Sequence, residues 1–107
     1  MRGIGVDVVS MARTERCLSP AFKRRAFTDR EIEYAESHSP TVAQYAVTFA
    51  AKEASFKALG TGWTDGDDVE VVRDVRGQPR AVCRDGEKLL LSLAFETECA
   101  VAVALRR

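Results

Sequence analysis

The sequence is poor in cysteine and histidine, the side chains from which disulfide scaffolds and zinc sites are built. Its three cysteines, Cys17, Cys83 and Cys99, are odd in number and lack metal-ligand spacing. Cys83 and Cys99 lie in apolar runs and are expected to be buried as small hydrophobic side chains, which fits a reducing cytoplasm. The single histidine, His38, precedes Ser39-Pro40, so we expect it in a surface loop rather than as a ligand or general base.

Long apolar runs and an excess of one charge are also missing. No stretch approaches the ~20 residues of a membrane span, and no charged segment followed by a long apolar stretch suggests a signal peptide. The formal net charge is zero, which argues against a general nucleic-acid binder. The length of 107 residues predicts one domain, 1–107. We expect a domain this small to share any site that encloses a large ligand with a neighbouring subunit.

The charges that are present are unevenly distributed. Residues 1–30 carry a net charge of +4 and the remaining residues carry −4. A solvated helix face is one interpretation, and a docking patch for an acidic partner is the other. Apart from Arg2, the basic side chains of this segment form one cluster in the sequence: Arg13, Arg16, Lys23, Arg24, Arg25 and Arg30.

The chain begins with a predicted strand, GIGVDVV. One face is aliphatic, from Ile4 to Val8, and the other carries Gly3, Gly5 and then Asp7. Glycine inside a strand often marks the close approach of a ligand or of another backbone. Asp7 is therefore a candidate site residue, although the pattern also permits a carboxylate that simply faces solvent.

Capping residues predict three short helices and one long helix. Ser10 can cap a helix through about residue 18, and Ser19-Pro20 begins a second. Thr28 and Glu31 have the spacing of a capping box for a third, through about residue 37. Residues 41–60 favour a long helix that ends at Gly60.

Two ridges of the long helix carry different residues. Tyr45, Phe49, Phe56 and Leu59 form an apolar stripe, and Lys52 falls beside it, where its stem can follow the core edge while the ammonium reaches outward. Glu53 and Lys57 share an adjoining ridge that runs into GTG at residues 60–62. The ridge is either an ordinary surface ion pair or a group that meets phosphate.

The C-terminal half has the alternation and turns of antiparallel strands. We predict strands at residues 69–73, 80–84, 91–95 and 99–105, with a turn, DVRGQP, at 74–79 and a short helical piece at 87–90. The predicted fold class is α+β, a mostly antiparallel sheet packed against a long central helix and short helices.

Five segments together resemble the holo-acyl-carrier-protein synthase branch of the phosphopantetheinyl transferases. They are GIGVDVVSMAR at 3–13, FKRRAFTDRE at 22–31, FAAKEASFKALGTG at 49–62, VEVVRDVRGQP at 69–79 and SLAFETECAVAVAL at 92–105. The resemblance covers nearly the whole chain and implies a trimer with its sites between subunits. It also implies transfer of phosphopantetheine from coenzyme A to a serine of an apo acyl or peptidyl carrier protein, releasing 3′,5′-ADP.

The resemblance assigns roles to individual residues. Asp7 and Glu53 match the carboxylates that bind Mg²⁺ or Mn²⁺, and Lys57 matches a lysine that meets the cofactor phosphates. Arg13 and Arg25 match positions that face the carrier protein. The remaining candidates for cofactor binding are Lys52, Gly60, Thr61, Gly62, Pro79 and Ser92.

Two positions depart from the family pattern. Phe95 stands where the family commonly has histidine, and a phenyl ring cannot hydrogen-bond a phosphate or a water. Glu96, the next residue, is the alternative catalytic group. Thr48 stands where arginine is usual and brings no charge. An impaired coenzyme A- or carrier-binding relative and a structural trimer subunit are therefore the alternatives to an active transferase.

Overall fold

A five-stranded antiparallel sheet with a long helix packed across one face forms the framework of residues 2–107, which the computed structural model describes. The sheet order is β1-β5-β4-β3-β2. The strands are β1 (Gly3–Ser10), β2 (Val69–Arg73), β3 (Pro79–Cys83), β4 (Lys88–Phe95) and β5 (Cys99–Arg106). The helices are α1 (Met11–Cys17), α2 (Pro20–Ala26), α3 (Asp29–Glu36) and α4 (Thr41–Leu59). The predicted α+β class is confirmed.

The helices begin and end where their capping residues predict. The hydroxyls of Ser10 and Ser19 accept hydrogen bonds from backbone N–H groups in the first turns of α1 and α2. Thr28 and Glu31 form the complete capping box of α3. Gly60 ends α4 with a φ of 78°, a left-handed conformation that glycine adopts without steric cost. Caps of this kind each stabilise a helix by about 1 kcal/mol.

Helix α4 forms the centre of the core. Tyr45 and Phe56 of the predicted stripe are buried, and Phe49 and Leu59 are half-buried against the same packed clusters. Alanines at positions such as 54 and 58 let the sheet approach the helix closely. Among the described residues, none of the helices has the length and apolarity that crossing a membrane requires.

Strand β1 lies directly against the backbone of α4 because two of its residues have no side chain. A Cβ built on Gly3 would lie 2.0 Å from the carbonyl oxygen of Ala58, and one on Gly5 would lie 2.0 Å from that of Ala54. Neither separation is sterically possible. The predicted close approach at these glycines is thus an approach of strand to helix, and it fixes the position of Asp7 relative to α4.

The other face of β1 is uncovered in the single chain. Ile4, Val6 and Val8 are between 54% and 66% exposed. Val103 of β5, which pairs with Val6, is 36% exposed on the same side of the sheet. An antiparallel sheet can have one solvated face, but that face is normally polar. This aliphatic strip is unlike an ordinary solvent-facing surface.

The helical piece predicted at residues 87–90 is wrong. Strand β4 already begins at Lys88, and Leu89 is fully buried opposite Ala81 of β3. Leu91 and Leu93 follow on the same face with the spacing of a strand. Burial of that alternating leucine face therefore decides the conformation over the local helix propensity of Glu, Lys and Leu.

The cysteines are free, and none is deeply buried. Cys83 and Cys99 are half-buried rather than buried as predicted, and Cys17 is exposed at the end of α1. Cys83 and Cys99 are in the strands β3 and β5.

Candidate active site

Two carboxylates from different elements share one cleft. Asp7 lies on the α4-facing side of β1, and Glu53 lies on α4 itself. Both line a cleft of about 340 Å³ whose apolar wall includes Phe22, Phe27 and Phe49. The glycines before Asp7 allow this meeting, because any larger residue would hold β1 away from the helix. The predicted carboxylate pair is therefore brought together by the fold.

The charges of this cleft repel one another and are only partly balanced. Burial raises the pKa of Glu53, the negative charge of Asp7 raises it further, and Lys57 lowers it. The ammonium of Lys57 lies 3.1 Å from Oδ1 of Asp7 and donates to the carbonyl oxygen of Val6 at 2.9 Å. Lys57 thus pairs across to β1 and not with Glu53, four residues earlier on its own helix. The Glu53–Lys57 surface ion pair, one of the two interpretations of this ridge, does not form among the described residues.

The donor set suits a hard divalent cation. Carboxylate oxygens are the ligands that Mg²⁺ prefers, and Mg²⁺ commonly takes one or two of them together with waters and phosphate oxygens. Among the described residues no group of three or more histidine, cysteine or acidic side chains is placed to hold a metal ion, so a cation at Asp7 and Glu53 would need further ligands from water or substrate. Burial is the larger cause of the raised pKa of Glu53, and such a cation would relieve the repulsion from Asp7 that adds to it.

A second cleft, of about 510 Å³, opens on the other side of Glu53. Its lining includes Arg25, Trp63 and Gly66, and it shares Phe22 and Phe49 with the first cleft. Glu53 therefore stands where the two clefts adjoin.

The two arginines predicted to meet a carrier protein border these clefts. Arg13 lines the first cleft and Arg25 lines the second. Within residues 2–107 neither guanidinium forms an ion pair, whereas Lys23 and Arg30 of the same basic segment are paired with Glu36 and Glu70. Arg13 and Arg25 are therefore available to an acidic partner.

The GTG loop follows Lys57 by one helical turn. Gly60 donates its N–H to the carbonyl of Lys57 at 3.0 Å. Gly60 and Gly62 both have positive φ, and nothing lies within 4 Å of the side on which a Cβ would stand. The hydroxyl of Thr61 donates to the carbonyl of Gly62. None of the three lines the clefts around Glu53.

Three further candidates lie elsewhere in the chain. Pro79 begins β3, Ser92 is exposed in β4, and Glu96 is exposed in the turn between β4 and β5. None lines either cleft around Glu53. Phe95, beside Glu96, is 44% exposed. Within one chain the fold does not bring these residues to the two carboxylates.

The prediction that Lys52 extends its ammonium outward to a cofactor is wrong. The side chain is fully buried, and its Nζ donates to Oε1 of Glu31 at 2.6 Å and to the carbonyl of Gly66 at 2.6 Å. Burial raises the pKa of Glu31, while Lys52 acts in the opposite direction. The helical wheel correctly placed Lys52 beside the apolar stripe, but its partners come from distant parts of the sequence.

Thr48 is buried beneath a third cleft, of about 500 Å³. The guanidinium groups of Arg30 and Arg73 are part of its lining, and Arg73 lies 4.0 Å from the ring centroid of Tyr34. The Tyr34 ring also stacks on the ring of His38, with 3.9 Å between the ring centroids. His38 is exposed, as predicted. Threonine at position 48 therefore leaves this cleft without a cation from α4.

The sequence did not reveal the importance of Trp63 and Gly66. Trp63 stacks on Phe49 with ring centroids 5.3 Å apart and contacts Phe56 at 5.0 Å. Gly66 has no room for a side chain, because a Cβ would lie 2.4 Å from the carbonyl oxygen of Arg25. The only signals were a lone tryptophan and an Asp-Gly pair, which is typical of any turn.

Comparison with known proteins identifies relatives over almost the full length. Residues 3–104 match the model of the 4′-phosphopantetheinyl transferase superfamily. A holo-[acyl-carrier-protein] synthase of Geobacter sp. strain M21 is 42% identical, over 96% of this chain and 95% of its own. The enzyme of that name from Halorhodospira halophila is also 42% identical, over 96% and 94%.

Solved structures agree with the sequence relatives. A Bacillus anthracis holo-(acyl-carrier-protein) synthase in complex with CoA (3′,5′-ADP) superimposes with a TM-score of 0.85 at 35% identity, over 96% of this chain and 93% of its own. The holo-[acyl-carrier-protein] synthase of Neisseria meningitidis gives 0.86 at 28% identity, over 97% and 96%. The Helicobacter pylori enzyme, in complex with coenzyme A, gives 0.82 at 25%, over 95% and 97%.

Proposed function

Because the chain belongs to the 4′-phosphopantetheinyl transferase superfamily, we propose that it is a holo-acyl-carrier-protein synthase. The reaction moves 4′-phosphopantetheine from coenzyme A to a serine of an apo acyl or peptidyl carrier protein. The serine oxygen forms a bond to the phosphorus that carries pantetheine, and the bond from that phosphorus to the bridging oxygen breaks, which releases 3′,5′-ADP. The observation that carries the proposal is the meeting of Asp7 and Glu53 in one cleft, with Lys57 paired to Asp7.

Asp7 and Glu53 hold a divalent cation, Mg²⁺ or Mn²⁺, in this proposal. The cation would neutralise charge on the diphosphate of coenzyme A. Lys57 is the catalytic cation of the chain itself. It is half-exposed and lies beside Asp7, so its ammonium can turn to the leaving phosphate and stabilise the charge that develops there. Gly60 and Thr61 already donate their N–H groups to the carbonyls of Lys57 and Phe56, so within the GTG loop we assign the N–H of Gly62 and the hydroxyl of Thr61 to the phosphate.

A homotrimer would supply the residues that the single chain leaves apart. The uncovered aliphatic strip of Ile4, Val6 and Val8 supports contact with a second copy, because apolar patches of this kind are usually covered. Pro79, Ser92 and Glu96 would then approach the nucleotide bound to a neighbouring protomer. In that arrangement Glu96 accepts the proton of the attacking serine, directly or through water.

The carrier protein would dock on the basic edge of the two clefts. Arg13 and Arg25 border the clefts and form no ion pair with any other residue that the structure describes. Complementary charge there would orient an acidic carrier and accelerate its encounter with the site.

We also propose that residues 1–107 act as one domain in the reducing cytoplasm. One sheet with α4 packed across it organises the core, and all three cysteines are free. Cysteines that remain unpaired are typical of a reducing compartment.

A catalytically impaired relative that binds coenzyme A or a carrier is the second candidate. The observation in its favour is Phe95, which presents a ring with no hydrogen-bonding group at an exposed position beside Glu96. Thr48 supports the same alternative, because it is buried and uncharged.

The experiment is a mass measurement on carrier proteins. Purified protein is incubated with Mg²⁺, coenzyme A and a panel of apo acyl and peptidyl carriers, and each carrier is weighed by mass spectrometry. We expect the added mass of phosphopantetheine on at least one carrier, lost with EDTA and lost when its acceptor serine is replaced by alanine. A folded protein that modifies no carrier, yet binds coenzyme A in calorimetry, would select the second candidate.

A further inference from the structure

The ammonium of Lys52 joins three parts of the fold inside the core. Its Nζ donates to Oε1 of Glu31 in α3 and to the carbonyl of Gly66 in the segment after α4, each at 2.6 Å. Glu31 in turn accepts hydrogen bonds from the backbone N–H groups of Thr28 and Val71. No buried side-chain nitrogen or oxygen of residues 2–107 lacks a hydrogen-bond partner. Each polar atom of this buried pair therefore has a partner, and two of the three N–H groups of Lys52 have a named acceptor.

Gly66, whose carbonyl accepts a hydrogen bond from Lys52, lies in the loop that follows α4 and lines the second cleft. In this loop, residues 60–66, Trp63 stacks on Phe49 and Gly66 touches the backbone of Arg25. The Lys52 ammonium is 5.9 Å from the Trp63 ring. The carbonyl of Gly66 thus links the far end of the loop to the interior of the protein.

The same loop forms a wall of the second cleft. Residues 63–66 line that cleft together with Glu53 and Arg25. Lys52 is the neighbour of Glu53 in sequence, yet its side chain is buried behind the wall while Glu53 lines the cleft. One turn of α4 therefore supplies both a proposed metal ligand and the anchor of the opposite wall.

A buried ion pair is weak evidence for a role in stability. Desolvation of the two charges offsets most of their attraction, and an apolar pair of similar volume is often as stable. An apolar pair cannot, however, hold the carbonyl of Gly66. Lys52, held by Glu31, therefore gives the loop a hydrogen bond that leucine or methionine could not give.

We propose that Lys52 is a positioning residue, which fixes the residue 60–66 loop through Gly66 and so sets the shape of the cleft beside Glu53. Glu31 holds the ammonium in place for this contact. The inference rests on the proposed function only for its kinetic consequence, because the position of the loop can be measured without any reaction.

The test replaces both charges together. In the E31L/K52M variant neither charge remains unpaired, although the N–H groups of Thr28 and Val71 lose their acceptor. We expect a less stable protein that keeps its fold, as judged by circular dichroism. Trp63 is the only tryptophan, so its fluorescence reports the loop directly. We expect its emission to shift to longer wavelength and to be quenched more readily by acrylamide. We expect kcat/KM to fall about 100-fold, chiefly through a higher KM for coenzyme A.

A matched control is Y45F, which removes a hydrogen bond from α4 to Glu36 without touching the loop. Its Trp63 emission and its KM should remain those of the original protein. If E31L/K52M does not fold, E31Q/K52M keeps one side-chain acceptor for Thr28 or Val71 and carries the same test. Unchanged emission in a folded double variant overturns the proposal, as does an equal shift in Y45F. Should the original protein transfer nothing, the proposed function fails and Trp63 emission alone decides this inference.

Discussion

Lys57 on α4 pairs with Asp7 on β1, with 3.1 Å between the ammonium nitrogen and Oδ1. The contact crosses between two elements that the glycines of β1 bring together. A cation bound by Asp7 and Glu53 would compete with this pair, because both need the same carboxylate. Lys57 is then free to turn from Asp7 to a phosphate of the substrate.

Replacing Lys57 by methionine should separate metal binding from catalysis. K57M removes a positive charge that competes for Asp7, so we expect tighter binding of Mn²⁺ in the absence of coenzyme A. It also removes the group that we propose to meet the leaving phosphate, so kcat/KM for transfer should fall about 100-fold. Paramagnetic resonance of free Mn²⁺ and the carrier mass assay measure the two effects. K57R is the matched control, and weaker metal binding in K57M would contradict the pairing.

The raised pKa of Glu53 has a consequence for stability without metal. A carboxyl whose pKa is higher in the folded than in the unfolded state destabilises the fold once pH rises through the interval between those values. At pH 7 without metal, E53Q should therefore melt at a higher temperature than the original protein. The difference should shrink as pH falls toward the ordinary glutamate value of 4.5.

Thermal melting in EDTA across this pH range measures the effect of Glu53. The D7N variant is the informative companion, because it removes the Asp7 charge that adds to the raised pKa. The gain from E53Q should be smaller when D7N is already present. A gain of the same size at every pH would show that packing, and not ionisation, is responsible.

Gly5 should not tolerate even a methyl group. A Cβ there would lie 2.0 Å from a backbone oxygen of α4, which cannot move aside without displacing the helix. We expect G5A to lose about 1–3 kcal/mol of unfolding free energy and to lose transfer activity, because Asp7 moves away from Glu53. Urea unfolding and the mass assay check both effects.

The control for G5A is an alanine at a glycine with open space around it. Gly86 has a φ of 94° and no atom within 4 Å of a built Cβ. G86A should cost about 1–2 kcal/mol through backbone strain alone while its activity is kept. Equal loss of activity in the two variants would contradict a specific role for the close approach.

Phe95→His tests whether the exposed ring limits catalysis. The side chain lies at the end of β4 next to Glu96, so histidine can be accommodated without a change in the core. We expect kcat/KM to rise about tenfold or more, because imidazole can transfer a proton or bind phosphate. F95L, which keeps an apolar side chain, is the control. A lower or equal rate in F95H would mean that the site uses another arrangement.

Local features of this fold are predictable from the sequence, and long-range partners are not. The caps at Ser10, Thr28 and Gly60 depend on hydrogen bonds between residues a few positions apart, so the spacing of residue types predicts them. The close approach at Gly5 also follows from residue type, although its partner does not. The position of Lys52 on the helical wheel was correct, but its partner Glu31 lies 21 residues away.

The candidate site divides in the same way. Asp7 and Glu53 were paired through resemblance to a family, and β1 against α4 supplies the physical reason. The strand predicted at 91–95 begins at Lys88 in the structure. The sequence did not show this, because burial of Leu89 depends on its pairing with β3. Pro79, Ser92 and Glu96 do not approach the carboxylates within one chain, and the contacts between subunits that we propose for them would leave no periodic signal in the sequence.

Calorimetry of coenzyme A binding, with and without Mg²⁺, tests the central claim most directly. If Asp7 and Glu53 jointly hold a cation that meets the diphosphate, Mg²⁺ should tighten binding to the original protein and have little effect on D7N or E53Q, both folded by circular dichroism. An equal response to Mg²⁺ in all three proteins would contradict the account.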